Sequence, residues 1–150
     1  MLRRLRLKIK RALLSVWDKD GIVELAKFLS EQNIEILSTG GTKKVLEECG
    51  LDITSISHLT GSGSVMDGRV KTLHPKVFGG ILADRSNPNH LQDLEHLHGL
   101  EIDLVVVNFY PFVKEAVEKK LSFKKAIEFI DIGGPSMIRA AAKNYHSVLP

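Results

Sequence analysis

Residues 102–109 read IDLVVVNF, an apolar run interrupted only by Asp103 and Asn108. A strand with one wet face alternates apolar and polar side chains, whereas an unbroken run belongs to a strand covered on both faces. ALLSV (12–16) is a second run of this kind. Between the two runs the period changes. DKDGIVELAKFLSEQN (18–33) places Ile22, Leu25, Ala26 and Leu29 at i, i+3, i+4 and i+7, which predicts a helix. IEILST (34–39) predicts a strand, GTKKVLEECG a short helix closed by Gly50, and ITSIS (53–57) a third strand. Residues 58–80 are rich in Gly, Ser and His without a period, and read as a long functional loop. Helices are expected at 88–98, about 111–120, about 122–130, and from Pro135 to about Lys143. SVLP opens one more strand where the sequence stops, which suggests a piece of a longer protein. Strand-helix alternation with doubly apolar strands predicts an α/β fold, a doubly wound parallel sheet with helices on both faces.

Composition narrows the partners. At 150 residues and 43% apolar, the chain can build one domain with a substantial core. The formal charge of +3 is misleading, because six cations (Arg3, Arg4, Arg6, Lys8, Lys10 and Arg11) precede any acid. The remainder carries 15 bases against 18 acids. Nucleic-acid binders carry their excess cations on the folded surface. Here they form a basic N-terminal arm over 1–10, so neither nucleic acid nor membrane is expected as a partner. No apolar run approaches the roughly 20 residues of a membrane span. Cys49 is alone, which excludes an internal disulfide and fits a reducing cytoplasm. His90, His96 and His98 lack metal-ligand spacing, so no metal is expected.

Ligands of such sheets sit beyond the carboxyl ends of the strands. Those ends carry Ser15, Trp17, Asp18 and Lys19, then STGGT (38–42), then Asn108 and Tyr110. In STGGT, Gly40 and Gly41 let several N–H groups point one way, Thr39 and Thr42 add hydroxyls, and the helix dipole favours an anion. An ordinary capped helix start would use the same residue types. DGRVKTLHPK (67–76) gathers Arg69, Lys71 and His74 with little acid, which calls for an anion between them. In extended backbone Arg69 and Lys71 face one side, with Val70 and Thr72 opposite. A forked Arg suits phosphate, and a crowded Lys can do chemistry. In DIGGPS (131–136), Asp131 precedes two glycines whose N–H groups its carboxylate can meet. Ser136, Arg139 and Lys143 form a polar stripe along the last helix, which is also how a solvent face would look.

Taken together, RALLSVWDKDGIVELAKFL, EILSTGGT, MDGRVKTLHPKVFGGILADR, VVVNFYPF and DIGGPSMIRAAAKNY resemble the IMP cyclohydrolase family. That family forms the N-terminal half of the bifunctional purine biosynthesis proteins. The resemblance implies a methylglyoxal-synthase-like fold and closure of 5-formamidoimidazole-4-carboxamide ribotide to IMP with loss of water. It implies that Trp17, Asp18, Lys19, the loop Thr39, Gly40, Gly41 and Thr42, and Arg69 hold phosphate and ribose, and that Val70 also contacts the substrate. It implies that Lys71, Thr72, Val107, Asn108, Tyr110, Asp131, Ile132 and Gly133 surround the heterocycle. Asp131 would be the base, Lys143 the general acid, and Lys71 with Tyr110 the oxyanion stabilisers. The chain departs from the family at Trp17, where Ser is usual, and at Ser136, where Thr is common. No cofactor is implied for this domain, since 10-formyltetrahydrofolate belongs to the family's C-terminal formyltransferase domain, absent from these residues. A homodimer is implied for the full-length protein. Methylglyoxal synthase and a non-catalytic nucleotide-sensing domain of the same fold are the competing readings, and neither explains RVKTLHP or DIGGP.

Overall fold

The computed structural model describes residues 7–150. Four parallel strands, β1 (Arg11–Ser15), β2 (Glu35–Ser38), β3 (Thr54–Ser55) and β4 (Leu104–Val107), form one sheet in the order β3-β2-β1-β4. The chain runs outward from β1 to β3, then returns past β1 to place β4 on its other side. That reversal puts a switch point between β1 and β4, where Leu14 pairs with Val106 and Ser15 with Val107. At the chain's end Leu149 begins another parallel position beside β4, with its N–H on the Asp103 carbonyl at 2.8 Å.

Both sheet faces are dry, as the apolar runs require. Ala12, Leu14, Ile36 and Leu104 meet Ile22, Ala26 and Leu29 of α1 (Ile22–Glu31) and Leu46 of α2 (Gly40–Glu48). Leu13, Leu37 and Val105 point the other way. They meet Ile56 of α3 (Ile56–Thr60), Val77 and Ile81 of α4 (Pro75–Leu82) and Met137, Ala140 and Ala141 of α7 (Gly133–Lys143). α5 (Pro88–His96) packs against α4.

Several expectations change. The third strand is only two residues long, because the Ser55 side chain accepts the His58 N–H at 3.1 Å and turns the chain into α3. The segment read as one long loop contains α4, which starts with Pro75 at its first turn and His74 accepting the Lys76 N–H. The two helices expected over 111–130 are a π-helical turn, Val113–Glu118, then α6 (Phe123–Ala126) and a 3₁₀ turn, Ile127–Phe129. α7 starts at Gly133, two residues before Pro135.

The basic arm ends earlier than its charge suggests. Arg11 opens β1, pairs with Glu35 at 2.6 Å and donates to the Glu101 carbonyl at 2.7 Å. Asp103, 7% exposed, accepts the N–H groups of Lys10 and Arg11 at 2.8 and 3.0 Å, and lies 3.7 Å from Arg85. Arg3, Arg4 and Arg6 lie outside the described residues. Among the described residues no helix is long and apolar enough to cross a membrane.

Candidate functional site

Beyond the carboxyl ends of the strands opens a cavity of about 540 Å³, within the usual range for small-molecule sites. Its walls come from the β1–α1 and β2–α2 junctions, the 67–72 segment, the residues after β4 and the start of α7.

At one end sits the glycine loop. Gly40 has φ +55°, where a side chain would be strained, and this turns the chain abruptly from β2 into α2. The first intrahelical acceptor is the Thr39 carbonyl, taken by Lys43, so the N–H groups of Gly40, Gly41 and Thr42 have no acceptor within the helix. Two ammonium side chains lie over this loop. A β-carbon at Gly40 would stand 3.7 Å from Lys71 Nζ, and one at Gly41 would stand 3.9 Å from Lys19 Cε. Lys19 also donates to the carbonyls of Val16 and, at 2.8 Å, Trp17. Burial lowers the Lys19 pKa below 10.5, with Asp18 opposing that shift. Helix donors and two cations thus converge where an anion would be held.

Thr42 does not belong to that set through its hydroxyl. The side chain, only 2% exposed, accepts the Val16 N–H at 3.0 Å and donates to the Val16 carbonyl at 2.9 Å. It ties α2 to the end of β1, which leaves only its backbone N–H for an anion.

The 67–72 segment is not extended. Val65 and Val70 bridge antiparallel around a tight turn in which Met66, Asp67 and Gly68 all have positive φ. The turn still delivers Arg69 and Lys71 to the cavity, while Val70 is spent in the bridge and does not line it. Arg69 is already engaged. Its guanidinium makes a two-point contact with Glu128, Nε to Oε2 at 3.4 Å and Nη2 to Oε1. The Glu128 hydrogen bond raises the Arg69 pKa further above its ordinary value.

The other end is built by α7 and the residues after β4. Asp131 Oδ1 accepts the Gly134 N–H at 3.1 Å, which caps the first turn of α7 and leaves Oδ2 for a ligand proton. Gly133 is glycine because its β-carbon would stand 2.9 Å from Thr72 Oγ1. Thr72, Ile132 and Gly133 line the wall, and Tyr110 does so while meeting Phe129 edge to face at 6.3 Å.

Besides Thr42 and Val70, four more expected site residues do different work. Asn108 lines the cavity but spends its amide on the neighbouring loop: Oδ1 accepts the N–H groups of Trp17 and Asp18 at 2.6 and 3.0 Å, and Nδ2 donates to the Asp18 carbonyl at 2.9 Å. It staples β1 to β4 at the switch point and keeps one Nδ2 hydrogen outside these bonds. Val107 packs against the Leu13 face of the core and is not on the cavity wall. Asp18 also stands off the wall, with Oδ1 accepting the Asp20 N–H at 3.1 Å. Lys143, expected as the general acid, is exposed in the last turn of α7 and does not line the cavity. The α7 residues that do, Gly133, Gly134 and Met137, come six to ten residues earlier, about 9–15 Å along the helix at 1.5 Å per residue. Glu128, Ile127 and Ile130 line the cavity and were not anticipated; Glu128 lies 59 residues from its partner Arg69, beyond any local pattern.

Comparison with known proteins is consistent with this architecture. Residues 21–136 match the MGS-like domain family. The chain is 55% identical over 141 residues to the bifunctional purine biosynthesis protein PurH of Clostridium acetobutylicum, covering 94% of this chain and 28% of that protein. It is also 55% identical over 140 residues to PurH of Staphylococcus aureus strain Newman, covering 93% of this chain and 28% of the relative. The chain therefore spans less than a third of these curated relatives. A crystal structure of ForH superposes with a TM-score of 0.78 at 35% identity, covering 95% of this chain and 72% of that one.

Proposed function

The chain belongs to the MGS-like domain family, and from that premise we propose that it is an IMP cyclohydrolase domain of purine biosynthesis. The observation that carries this reading is the polarity of the cavity. Anion-binding groups (the Gly40–Thr42 amides and Lys19) gather at one end and Asp131, Tyr110 and Thr72 at the other, with Lys71 between them, its Nζ beside Gly40 and its neighbour Thr72 beside Gly133, and Arg69 also on the wall. A ribotide with a 5′-phosphate at one end and a reacting carboxamide and formamide at the other has the same polarity. The likeness to PurH supports the substrate class.

The chemistry uses groups this cavity holds. Asp131 Oδ2 accepts a proton from the carboxamide nitrogen as that nitrogen attacks the formyl carbon. The formyl oxygen gains negative charge, which Lys71 and the Tyr110 hydroxyl stabilise in a site partly shielded from water. Loss of that oxygen as water takes two protons: Lys71 supplies one and Asp131 returns the one it accepted, and as the C–O bond breaks the formamide N–H proton passes back to Lys71 while the ring C=N bond forms. The step is a dehydration in which no atom changes oxidation state overall, so it balances with these residues alone. Turnover of the formamido ribotide to IMP tests the proposal. Lys71→Ala and Asp131→Asn should each lower turnover about 10²–10⁴-fold. Turnover in either variant within threefold of an active parent would refute the assignment.

A further inference from the structure

The Arg69–Glu128 pair lies on the cavity wall, and both residues line the space assigned above to the substrate. Arg69 presents two nitrogens to two carboxylate oxygens, the arrangement in which the same fork would meet two phosphate oxygens. A ligand phosphate and Glu128 therefore compete for one guanidinium. The segment that carries Glu128 is lightly held. Neither α6 nor the 3₁₀ turn after it contains a buried residue, and Phe123 at its start is 85% exposed. Besides the Arg69 contact, Phe129 meets Tyr110 edge to face. A carboxylate on so lightly packed a segment can yield to a dianion without disturbing the core.

We infer that Glu128 is an internal counter-anion on the cavity wall, occupying Arg69 until a ligand phosphate displaces it, and so setting both affinity and selectivity for phosphorylated ligands. This rests on the proposed assignment of Arg69 to the ligand phosphate. Glu128 has a second effect of the same sign: its charge repels a phosphate entering beside it. A neutral, isosteric side chain removes the competition and the repulsion together, while Arg69 keeps its position in the 66–69 turn.

The test is calorimetric titration of the 150-residue chain with inosine 5′-monophosphate, inosine and inorganic phosphate, in the parent, Glu128→Gln, Arg69→Ala and the double variant. Glu128→Gln should tighten the monophosphate about two- to fivefold, the scale set by exposed ion pairs. Inorganic phosphate should follow, and inosine should stay unchanged. In the Arg69→Ala background the same substitution should give a clearly smaller gain, because no guanidinium remains to be released. Glu128 is exposed, so the substitution leaves folding intact, and Glu128→Ala provides a second check. Unchanged or weaker monophosphate binding in Glu128→Gln, with the parent still preferring monophosphate to inosine, would overturn the inference and leave the phosphate site standing. Equal binding of monophosphate and inosine by the parent would remove both.

Discussion

Replacing Thr42 by Val separates support from binding at the glycine loop. The hydroxyl is buried and makes both of its bonds to one residue, accepting from the Val16 N–H and donating to the Val16 carbonyl. Valine keeps the branched shape and removes both bonds. The Val16 carbonyl retains Lys19 as a donor, so it is not orphaned. The Val16 N–H loses its partner where water is excluded, at a cost of about 1–3 kcal/mol, and the lost hydroxyl–carbonyl bond adds about 0.5–1.5 kcal/mol. The sum is about 1.5–4.5 kcal/mol, and a domain of this size loses about 2–4 °C of Tm per kcal/mol, which predicts a fall of about 3–18 °C. Thr42→Ser keeps the hydroxyl and loses one methyl group, for about 1 kcal/mol. A ligand phosphate would meet only the Thr42 backbone N–H, which valine preserves, so affinity for inosine 5′-monophosphate should hold within about threefold. Thermal unfolding with parallel titration reads both quantities. A Tm within about 2 °C of the parent combined with a tenfold loss of affinity would refute this reasoning and return the hydroxyl to the ligand.

Gly80→Ala should destabilise strongly, by about 1–3 kcal/mol or more in urea unfolding, since its β-carbon would stand 2.3 Å from the Leu100 carbonyl oxygen, which is backbone and cannot swing away. Lys19 has its pKa lowered by burial, so the folded chain releases that proton below pH 10.5, before the unfolded chain does. Stability from this group should therefore rise with pH across that alkaline window, whereas monophosphate affinity, which needs the ammonium, should fall; Lys19→Met should flatten that part of both slopes. Lys143→Ala should leave monophosphate affinity within about twofold, because the residue is off the cavity wall; loss of turnover at unchanged affinity would return the catalytic role to this lysine.

The strands were legible because sheet burial on both faces leaves little room for polar residues, and β1, β2 and β4 sit where the apolar runs lie. α4 was hidden by its own packing. Gly79 and Gly80 dilute the apolar period, yet Gly80 is there because the helix approaches the Leu100 carbonyl and Ile102 too closely for a side chain. The start signals, His74 capping and Pro75 in the first turn, were present in the sequence and were outweighed by the glycine and serine around them. At the site, residue types could be read but not their partners. Asn108, Thr42 and Arg69 each have the chemistry of a ligand contact, and each finds its partner on another element: the 17–18 backbone, Val16 and Glu128 respectively. Lys71, Lys19, Asp131 and the Gly40–Gly41 loop all line one cavity. The Lys143 assignment came from the family resemblance alone, and the rise of α7 carries that residue away from the cavity.

The central claim is that one cavity holds a purine ribotide with its phosphate at the glycine loop and its reacting end at α7. A crystal structure of the chain soaked with inosine 5′-monophosphate tests it most directly. The phosphate should lie against the Gly40, Gly41 and Thr42 amides, with Lys19 or Lys71 in contact, and the purine should lie against Tyr110 and Asp131–Gly133. A nucleotide bound in the reverse direction, with its phosphate at Asp131, or bound outside this cavity, would contradict the account.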